Sequence, residues 1–543
     1  MVEADARFDA LVVGAGFSGL YMLHRLRQLG LRTRVLERAE NVGGTWLFNR
    51  YPGARCDIES IEYSYSFSEA IQQEWVWTES MPAQPEVEAY LNFVADRLDL
   101  RRDIQFNTKV VAMAFDEEAA EWVVQTAEGE SSQTFRASFV VAASGILSVP
   151  LEPDIPGMAT FAGTSLFASR WPREGFDLAG KRVGVIGTGS TGVQLIPIVA
   201  REALQFYVFQ RSPAYTLPWR VRRFEPGELH EMKARYDEIR AAQRAHPIGA
   251  GRLSAFSVLL GMLGKPPLKS ATRDEQLRAI EEHGVLGALN WSDIFFDIEA
   301  NRMAAKLYGE AVARIVKDPE TAAALVPEHP FACKRPIIDQ GYYETFNRDN
   351  VILVDLRKGP IRDVTPTGIR TEQGCYELDA IIYATGFDAM TGALSRIDMR
   401  GREAMSLGEF WASEGALSYL GLAVAGFPNL FTVQGPGSPS AATNFVAALE
   451  QHVEWIGDCI AYLRAYGIRT IEALATAQQE WIDHTTALVA PTVLVHPTCN
   501  SWYNGGNVPG KKRMYMGYVG GIPEYRRRCD EIAAAGYTGF KLA

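Results

Sequence analysis

The stretch DALVVGAGFSGLYMLHRLRQLG, residues 9–30, decides how the rest of the chain reads. Its first five residues form an apolar run of strand length. Gly14, Gly16 and Gly19 follow in the pattern G-x-G-x-x-G. Leu20, Leu23, Leu26 and Leu29 then recur at helical spacing until Gly30 stops the pattern. Each glycine has a physical task. Gly14 permits a tight turn, Gly16 lets backbone approach a pyrophosphate, and Gly19 lets the helix pack on the strand. The phosphates meet the positive N-terminus of the helix. A second strand, LRTRVLER (31–38), ends near Glu37. That is where an acid about 20 residues further on grips ribose hydroxyls. Strand, glycine turn, helix and acid in register define a dinucleotide site.

The pattern recurs in KRVGVIGTGSTGVQLIPIVA (181–200), with Gly187, Gly189 and Gly192 and with Ser190 and Thr191 between them as further contact candidates. Its next strand, FYVFQRSP (206–213), ends in Gln210, Arg211 and Ser212 instead of an acid. An arginine there suits a 2′-phosphate, which a carboxylate would repel. Two unlike dinucleotide sites in one chain point to FAD in the first and NADPH in the second. The fold class expected is α/β, with two Rossmann-like dinucleotide-binding domains and a helical insertion.

Two apolar runs that end in small residues, VVAASGILSVP (140–150) and LDAIIYATGFD (378–388), are suited to carry the chain between the domains. Both domains are then discontinuous: 1–145 with 385–543 for FAD, and 146–212 with 333–384 for NADP. Residues 213–332 are rich in charge and helix formers, as in MKARYDEIRAAQRAH (232–246), and read as the helical insertion.

Composition narrows the classes. The 543 residues allow two or three domains, and 47% apolar with 22% charged residues is ordinary for a soluble globular protein. A net charge of −11 argues against nucleic acid or an anionic membrane as partner. The basic triplet at 526–528 reads as a solvated helix face. Six scattered cysteines without a C-x-x-C read as reduced, cytoplasmic thiols, with neither a disulfide scaffold nor a redox dithiol. Without such a dithiol, a disulfide reductase on the same folds is excluded. The N-terminus lacks the basic and apolar regions of a secretion signal, and no apolar run of about 18 residues offers a membrane span. The eight histidines show no metal-ligand spacing, so no metal is expected. A G-x-S-x-G hydrolase elbow is absent.

GGTWLFNRYPGARCDIES (43–60) narrows the reading further. Its Gly44, Trp46, Arg50, Tyr51, Pro52, Gly53 and Asp57, together with the two fingerprints, resemble the class B flavin monooxygenases. More narrowly they resemble the Baeyer–Villiger monooxygenases, in particular the phenylacetone and steroid monooxygenase group. CKRPIIDQGYYETFNRDNV (333–351), ATGFDAMTGAL (384–394), GPGSPSA (435–441), EQHVEW (450–455) and SWYNGGNVPGKKR (501–513) carry the likeness along nearly the whole chain.

That resemblance implies NADPH-driven reduction of FAD, a flavin C4a-peroxide formed with O2, and conversion of a ketone to an ester or lactone. It makes Arg335 the active-site cation and Asp57 its orienting carboxylate. A guanidinium stays charged when buried, and a buried pair loses its balance if either partner is removed. Alternation along an extended segment would let Lys334 face the 2′-phosphate while Arg335 faces the flavin, and Pro336 favours that conformation. Thr45, Trp46 and Tyr63 are expected near the flavin. Trp502, in a glycine-rich loop, is expected to close over NADP⁺. Ile58, Ile146, Leu147, Ala441, Ala442 and Phe445 correspond to ketone-pocket positions. Their size and apolarity fit aryl, cyclic or bulky ketones. The protein is expected to be a cytoplasmic monomer or weak homo-oligomer.

One signature departs. In FAGTSLFASRWP (161–172) the family carries histidine where this chain has Phe167. Trp171 is kept, whereas related heteroatom oxygenases end this signature in Tyr or Phe. The alternatives are therefore an S- or N-oxygenating monooxygenase, an uncoupled NADPH oxidase, or a catalytically disabled binding protein. The signature is expected to lie in the hinge between the domains, away from the chemistry.

Overall fold

The computed structural model describes residues 6–128, 131–250 and 262–543. Strand β1, Ala6–Val13, has its last four residues buried and leads into helix α1, Phe17–Gln28. Strand β2, Thr33–Leu36, lies parallel to β1 on one side. β6, Ser131–Ala142, lies parallel to it on the other. The sheet continues beyond β2 through β3 (Ile104–Gln105) and beyond β6 through β5 (Glu121–Glu128), β4 (Lys109–Asp116) and the strand Asp398–Arg400. Strand Leu430–Thr432 also pairs with β6. The chain thus leaves this sheet and returns to it.

The second sheet is wholly parallel. Its order is Val351–Asp355, β9 (Gln205–Gln210), β8 (Arg182–Ile186), Ala380–Tyr383 and β7 (Thr164–Phe167). Both glycine fingerprints follow the strand at which the order reverses, where α/β sheets bind their ligands. At each, the first glycine has a positive φ, +104° at Gly14 and +114° at Gly187. A Cβ there would strike the carbonyl of Ala143 or Ala384, at the end of the neighbouring strand.

Two segments pass between the sheets, and they pair with each other. Leu151 N donates to Gly386 O and Asp388 N to Val149 O, both at 2.9 Å, and Met390 N donates to Ile146 O at 3.0 Å. Phe167 is not in these connectors. It ends β7, an edge strand paired to Ala380–Tyr383, and its ring stacks on Tyr383 at 4.8 Å with Arg170 over its other face at 4.4 Å. It braces the strand that feeds the hinge, one strand away from the hinge itself.

Between 213 and 332 the larger described elements are helices, among them Tyr236–Ala245, Arg273–His283 and Ile298–Val312. A short strand, Thr216–Pro218, pairs with Ile337–Asp339. Arg240 is buried and donates to Ser64 Oγ, Gln72 Oε1, Gln243 Oε1 and the Tyr65 carbonyl. The face this helix buries, Tyr236, Arg240 and Gln243, is thus mostly polar and hydrogen-bonded. The triplet 526–528 is ion-paired to Glu454, Glu524 and Glu531, a charged helix face as its sequence suggests. Among the described residues no helix is long and apolar enough to cross a membrane, and no group of three or more His, Cys, Asp or Glu is placed to hold a metal.

Candidate active site

Arg335 and Asp57, 278 residues apart, meet in a two-point ion pair. Arg335 Nε donates to Asp57 Oδ2 at 2.6 Å and Nη2 to Oδ1 at 2.8 Å. Both side chains are mostly shielded, 11% and 26% exposed. Burial opposes the guanidinium's charge, but Asp57 and then Tyr503 more than offset it, so Arg335 is held above the ordinary arginine range. Asp57 caps no helix; it lies in a bend before Ile58.

Around the pair the chain assembles a contiguous cluster. Trp46 Nε1 donates to Tyr63 Oη at 3.1 Å, with the rings edge to face. Tyr63 packs on Phe17 at the start of α1. Burial pushes the Tyr63 hydroxyl up, and the nearby Cys56, Asp57 and Arg335 act on it. Tyr503, on the loop with Trp502, was not singled out by the sequence. It is buried beside Arg335, whose charge favours ionisation while burial disfavours it. The aromatic residue next to Trp502 was the only signal for it.

The residues expected at the two cofactors separate as their fingerprints do. Helix α1 starts at Gly16 and helix Ser190–Glu202 at Gly189, each without a side-chain cap or an acid in its first turn. Their free N–H groups suit phosphate. A Cβ at Gly189 would meet nothing, so that face is open to a ligand, whereas Gly192 backs onto the Gly187 carbonyl and Gly19 onto that of Gly14. Gly44 approaches Gly16, and Thr45 and Trp46 begin the short helix that follows it. Glu37 is buried, and its carboxylate accepts from Ala15 N at 2.6 Å and Ala39 N at 2.9 Å. Burial pushes its pKa up against those bonds.

Arg211 and Ser212 are exposed at the end of β9, and the Ser212 carbonyl accepts from Thr188. Lys334 lies close enough to Arg211 to feel its charge. Burial first and Arg211 second pull the lysine below its usual range. Neither cation has an ion-pair partner among the described residues. Two neighbouring cations without an anion fit a 2′-phosphate.

The motif at 50–57 has a visible mechanical purpose. Tyr51 Oη donates to Gln194 Oε1 at 2.8 Å, Gln194 Nε2 donates to the Arg55 carbonyl at 3.0 Å, and Gly53 lies against the Gln194 backbone. It straps the first fingerprint's unit onto the helix of the second, and so delivers Asp57 to Arg335.

One expectation changes. The six cysteines are not all free: Cys333 is joined to Cys499, with Cα atoms 5.9 Å apart, while Cys56, Cys375, Cys459 and Cys529 are free. The two are 166 residues apart, so no local spacing shows that they meet. The Trp502 loop is also well tied. Asn507 Nδ2 donates to the Phe387 carbonyl at 2.8 Å, and Lys511 pairs with Asp388 at 2.7 Å, both on the connector 384–390.

Of the ketone-pocket positions, Ile58 and Ile146 are buried in the core of the first sheet, with Leu147 and Phe445 packed against it; Trp502, expected at the nucleotide, packs against the same core. Ala442 is half-buried in the turn before Phe445; the side chain of Ala441 lies outside the described residues. These positions do not enclose the cavity of about 30 Å³ between Ser66, Gln243, Ala447 and Glu450, which has room for a water and not for a ketone.

Residues 9–235 match the flavin-binding monooxygenase-like family. Acetone monooxygenase (methyl acetate-forming) of Gordonia sp. strain TY-5 is 40% identical, the match covering 98% of this chain and 99% of that one. Phenazine N-monooxygenase PhzNO1 of Lysobacter antibioticus is 38% identical over 100% and 98%. Among solved structures, oxidised steroid monooxygenase bound to NADP superposes with a TM-score of 0.89 at 43% identity, over 99% of both chains.

Proposed function

The chain belongs to the flavin-binding monooxygenase-like family, among its Baeyer–Villiger monooxygenases, and depends on FAD and NADPH; from that premise we propose that it converts apolar aryl, cyclic or bulky ketones to esters or lactones with O2. The observation that carries the reading is the shielded two-point pair of Arg335 and Asp57.

FAD is assigned to residues 1–145 and 385–543, held by Gly14, Gly16, Gly19, Glu37, Gly44, Thr45, Trp46 and Tyr63. NADPH is assigned to 146–212 and 333–384, held by Gly187, Gly189, Ser190, Thr191, Gly192, Arg211, Ser212 and Lys334, with Trp502 closing over it. When bound, the flavin accepts hydride from NADPH and activates dioxygen for insertion beside a carbonyl. The chain's own residues do the rest. Arg335 is a fixed cation in a shielded site, placed to stabilise negative charge that develops during oxygen insertion. Asp57 orients it by gripping two of its nitrogens, and Tyr503 packs beside the pair. Arg211 and Lys334 select the 2′-phosphate. Ile58, Ile146, Leu147, Ala441, Ala442 and Phe445 line the ketone's apolar side and keep water out. The proposed setting is the cytoplasm, as a monomer or weak homo-oligomer; the net charge of −11 favours solubility.

N-oxygenation is the second reading, favoured by the similarity to a phenazine N-monooxygenase. One experiment separates the two. The FAD-loaded chain is given NADPH with acetone, cyclohexanone, phenylacetone, a 20-ketosteroid or a phenazine. Product, hydrogen peroxide and NADPH are measured together. Ester matching most of the NADPH consumed is expected with at least one bulky ketone. NADPH consumption without ester from any ketone overturns the proposal, and a phenazine N-oxide then establishes the second reading.

A further inference from the structure

We propose that Cys333 and Cys499 form an oxidative modification site, at which hydrogen peroxide converts two thiols to a disulfide that ties the Trp502 loop to the Arg335 segment. Both residues are fully buried. Their Cα separation of 5.9 Å is within disulfide range. In the bonded pair Cys499 Sγ also lies 3.0 Å from the Cys333 carbonyl oxygen, an acceptor close at hand for the thiol once the S–S bond is cut. One backbone thus suits both redox states, as a reversible site requires. Disulfides of reducing compartments are mostly of this transient, sensing kind.

Position gives the bond its consequence. Cys333 directly precedes Lys334 and Arg335, and Cys499 lies just ahead of Trp502. The Cys499 carbonyl also accepts from Asn504 Nδ2 at 2.9 Å and Arg513 Nη2 at 2.6 Å. A restraint at Cys499 is therefore passed to both ends of the loop. The other thiols have no such arrangement: Cys56, Cys459 and Cys529 are buried and free, and Cys375 is exposed on the short strand Cys375–Glu377.

The chemistry balances. One thiol is oxidised by peroxide to a sulfenic acid, releasing a water. The second thiolate attacks that sulfur, the S–S bond forms, and hydroxide leaves and takes up a proton as the second water. Two sulfurs together lose two electrons and the peroxide oxygens gain them. Hydrogen peroxide is the oxidant that a flavin monooxygenase itself releases when it reduces O2 without using it on substrate. The effect on turnover rests on the proposed closure of Trp502 over NADP⁺. The cross-link should slow NADP⁺ release about threefold to tenfold, lowering kcat and the KM for NADPH together, and dithiothreitol should reverse it.

The test uses full-length, FAD-loaded enzyme treated with dithiothreitol or with hydrogen peroxide. Non-reducing digestion and mass spectrometry should find the Cys333–Cys499 peptide only after peroxide. NADP⁺ dissociation, followed by stopped flow, should slow in the same sample and not in Cys499→Ser; Cys333→Ala is the second variant if that protein misfolds. Failure of the cross-link to form, or its persistence in dithiothreitol, overturns the proposal. A cross-link that leaves NADP⁺ release unchanged overturns the coupling. Trp502→Ala in the reduced enzyme then tells where the failure lies. If that change also leaves NADP⁺ release unaltered, the assignment of Trp502 to the nucleotide is wrong independently of the thiols.

Discussion

Arg335 draws its usefulness from being held at two nitrogens, not from charge alone. Arg335→Lys keeps the charge but loses the fork, and lysine gives up its proton more readily when buried. Ester formation should fall at least about 100-fold, ~2.7 kcal/mol of barrier, while NADPH still bleaches the flavin; loss of bleaching as well would show that the change had damaged more than oxygen insertion. Asp57→Asn should act in the same direction. At the nucleotide, Lys334 is already pulled below the ordinary lysine range by burial and by Arg211. Its charge is therefore present at low pH and lost at a lower pH than an exposed lysine's. The KM for NADPH should rise on the alkaline side, the KM for NADH should stay flat, and Lys334→Arg should remove the rise. His329 cannot produce this trend: burial and Lys334 hold it down at about 3, neutral throughout. A parallel alkaline rise for NADH would exclude the 2′-phosphate as the cause.

At the scale of the element, the two glycine turns were legible because their code is local. The strand, the positive φ of the first glycine and the helix that follows are all set within about 20 residues. Local code also separates two neighbouring glycines experimentally. Gly187→Ala forces a side chain into a left-handed turn against the Ala384 carbonyl and should destabilise the fold. Gly189→Ala has open space and a β-region φ, so it should cost no more than about 1 kcal/mol in stability. Its methyl stands in the path of the phosphates, so the KM for NADPH should rise at least about tenfold. Equal losses of stability in the two variants would contradict this division. Phe167 shows where local reading ends. Its departure from the signature is plain in sequence, but its partners, Tyr383 and Arg170, come from a paired strand and a following turn. Phe167→His keeps a stacking ring, so peroxide release per NADPH should change by less than about tenfold, ~1.4 kcal/mol. Ketone oxidation appearing only in the histidine variant would instead mark the native chain as disabled.

Over the whole molecule, the informative contacts are those no periodicity announces. The Cys333–Cys499 pair, Tyr503 beside Arg335, and the strap from Tyr51 to Gln194 each join residues more than 100 positions apart. The Lys511–Asp388 pair does the same for the loop and the hinge. Its nitrogen–oxygen distance is 2.7 Å, both side chains are less than one-fifth exposed, and Lys511 also donates to the Ala389 carbonyl at 3.0 Å. Asp388 in turn lies on one of two connectors that hydrogen-bond to each other between the sheets. A change in the angle between the sheets therefore has two routes to the Trp502 loop, this pair and the Asn507–Phe387 hydrogen bond. Lys511→Met strands a shielded carboxylate, and Asp388→Asn leaves a shielded ammonium with a weaker acceptor. Each should speed NADP⁺ dissociation and raise peroxide release about twofold to fivefold, with the ketone's KM nearly unchanged. The double variant should be no worse than the poorer single one, since residues that act as a unit are not additive. Simple addition of the two effects would show that Lys511 and Asp388 influence the loop independently, and that hinge and loop are not joined at this pair.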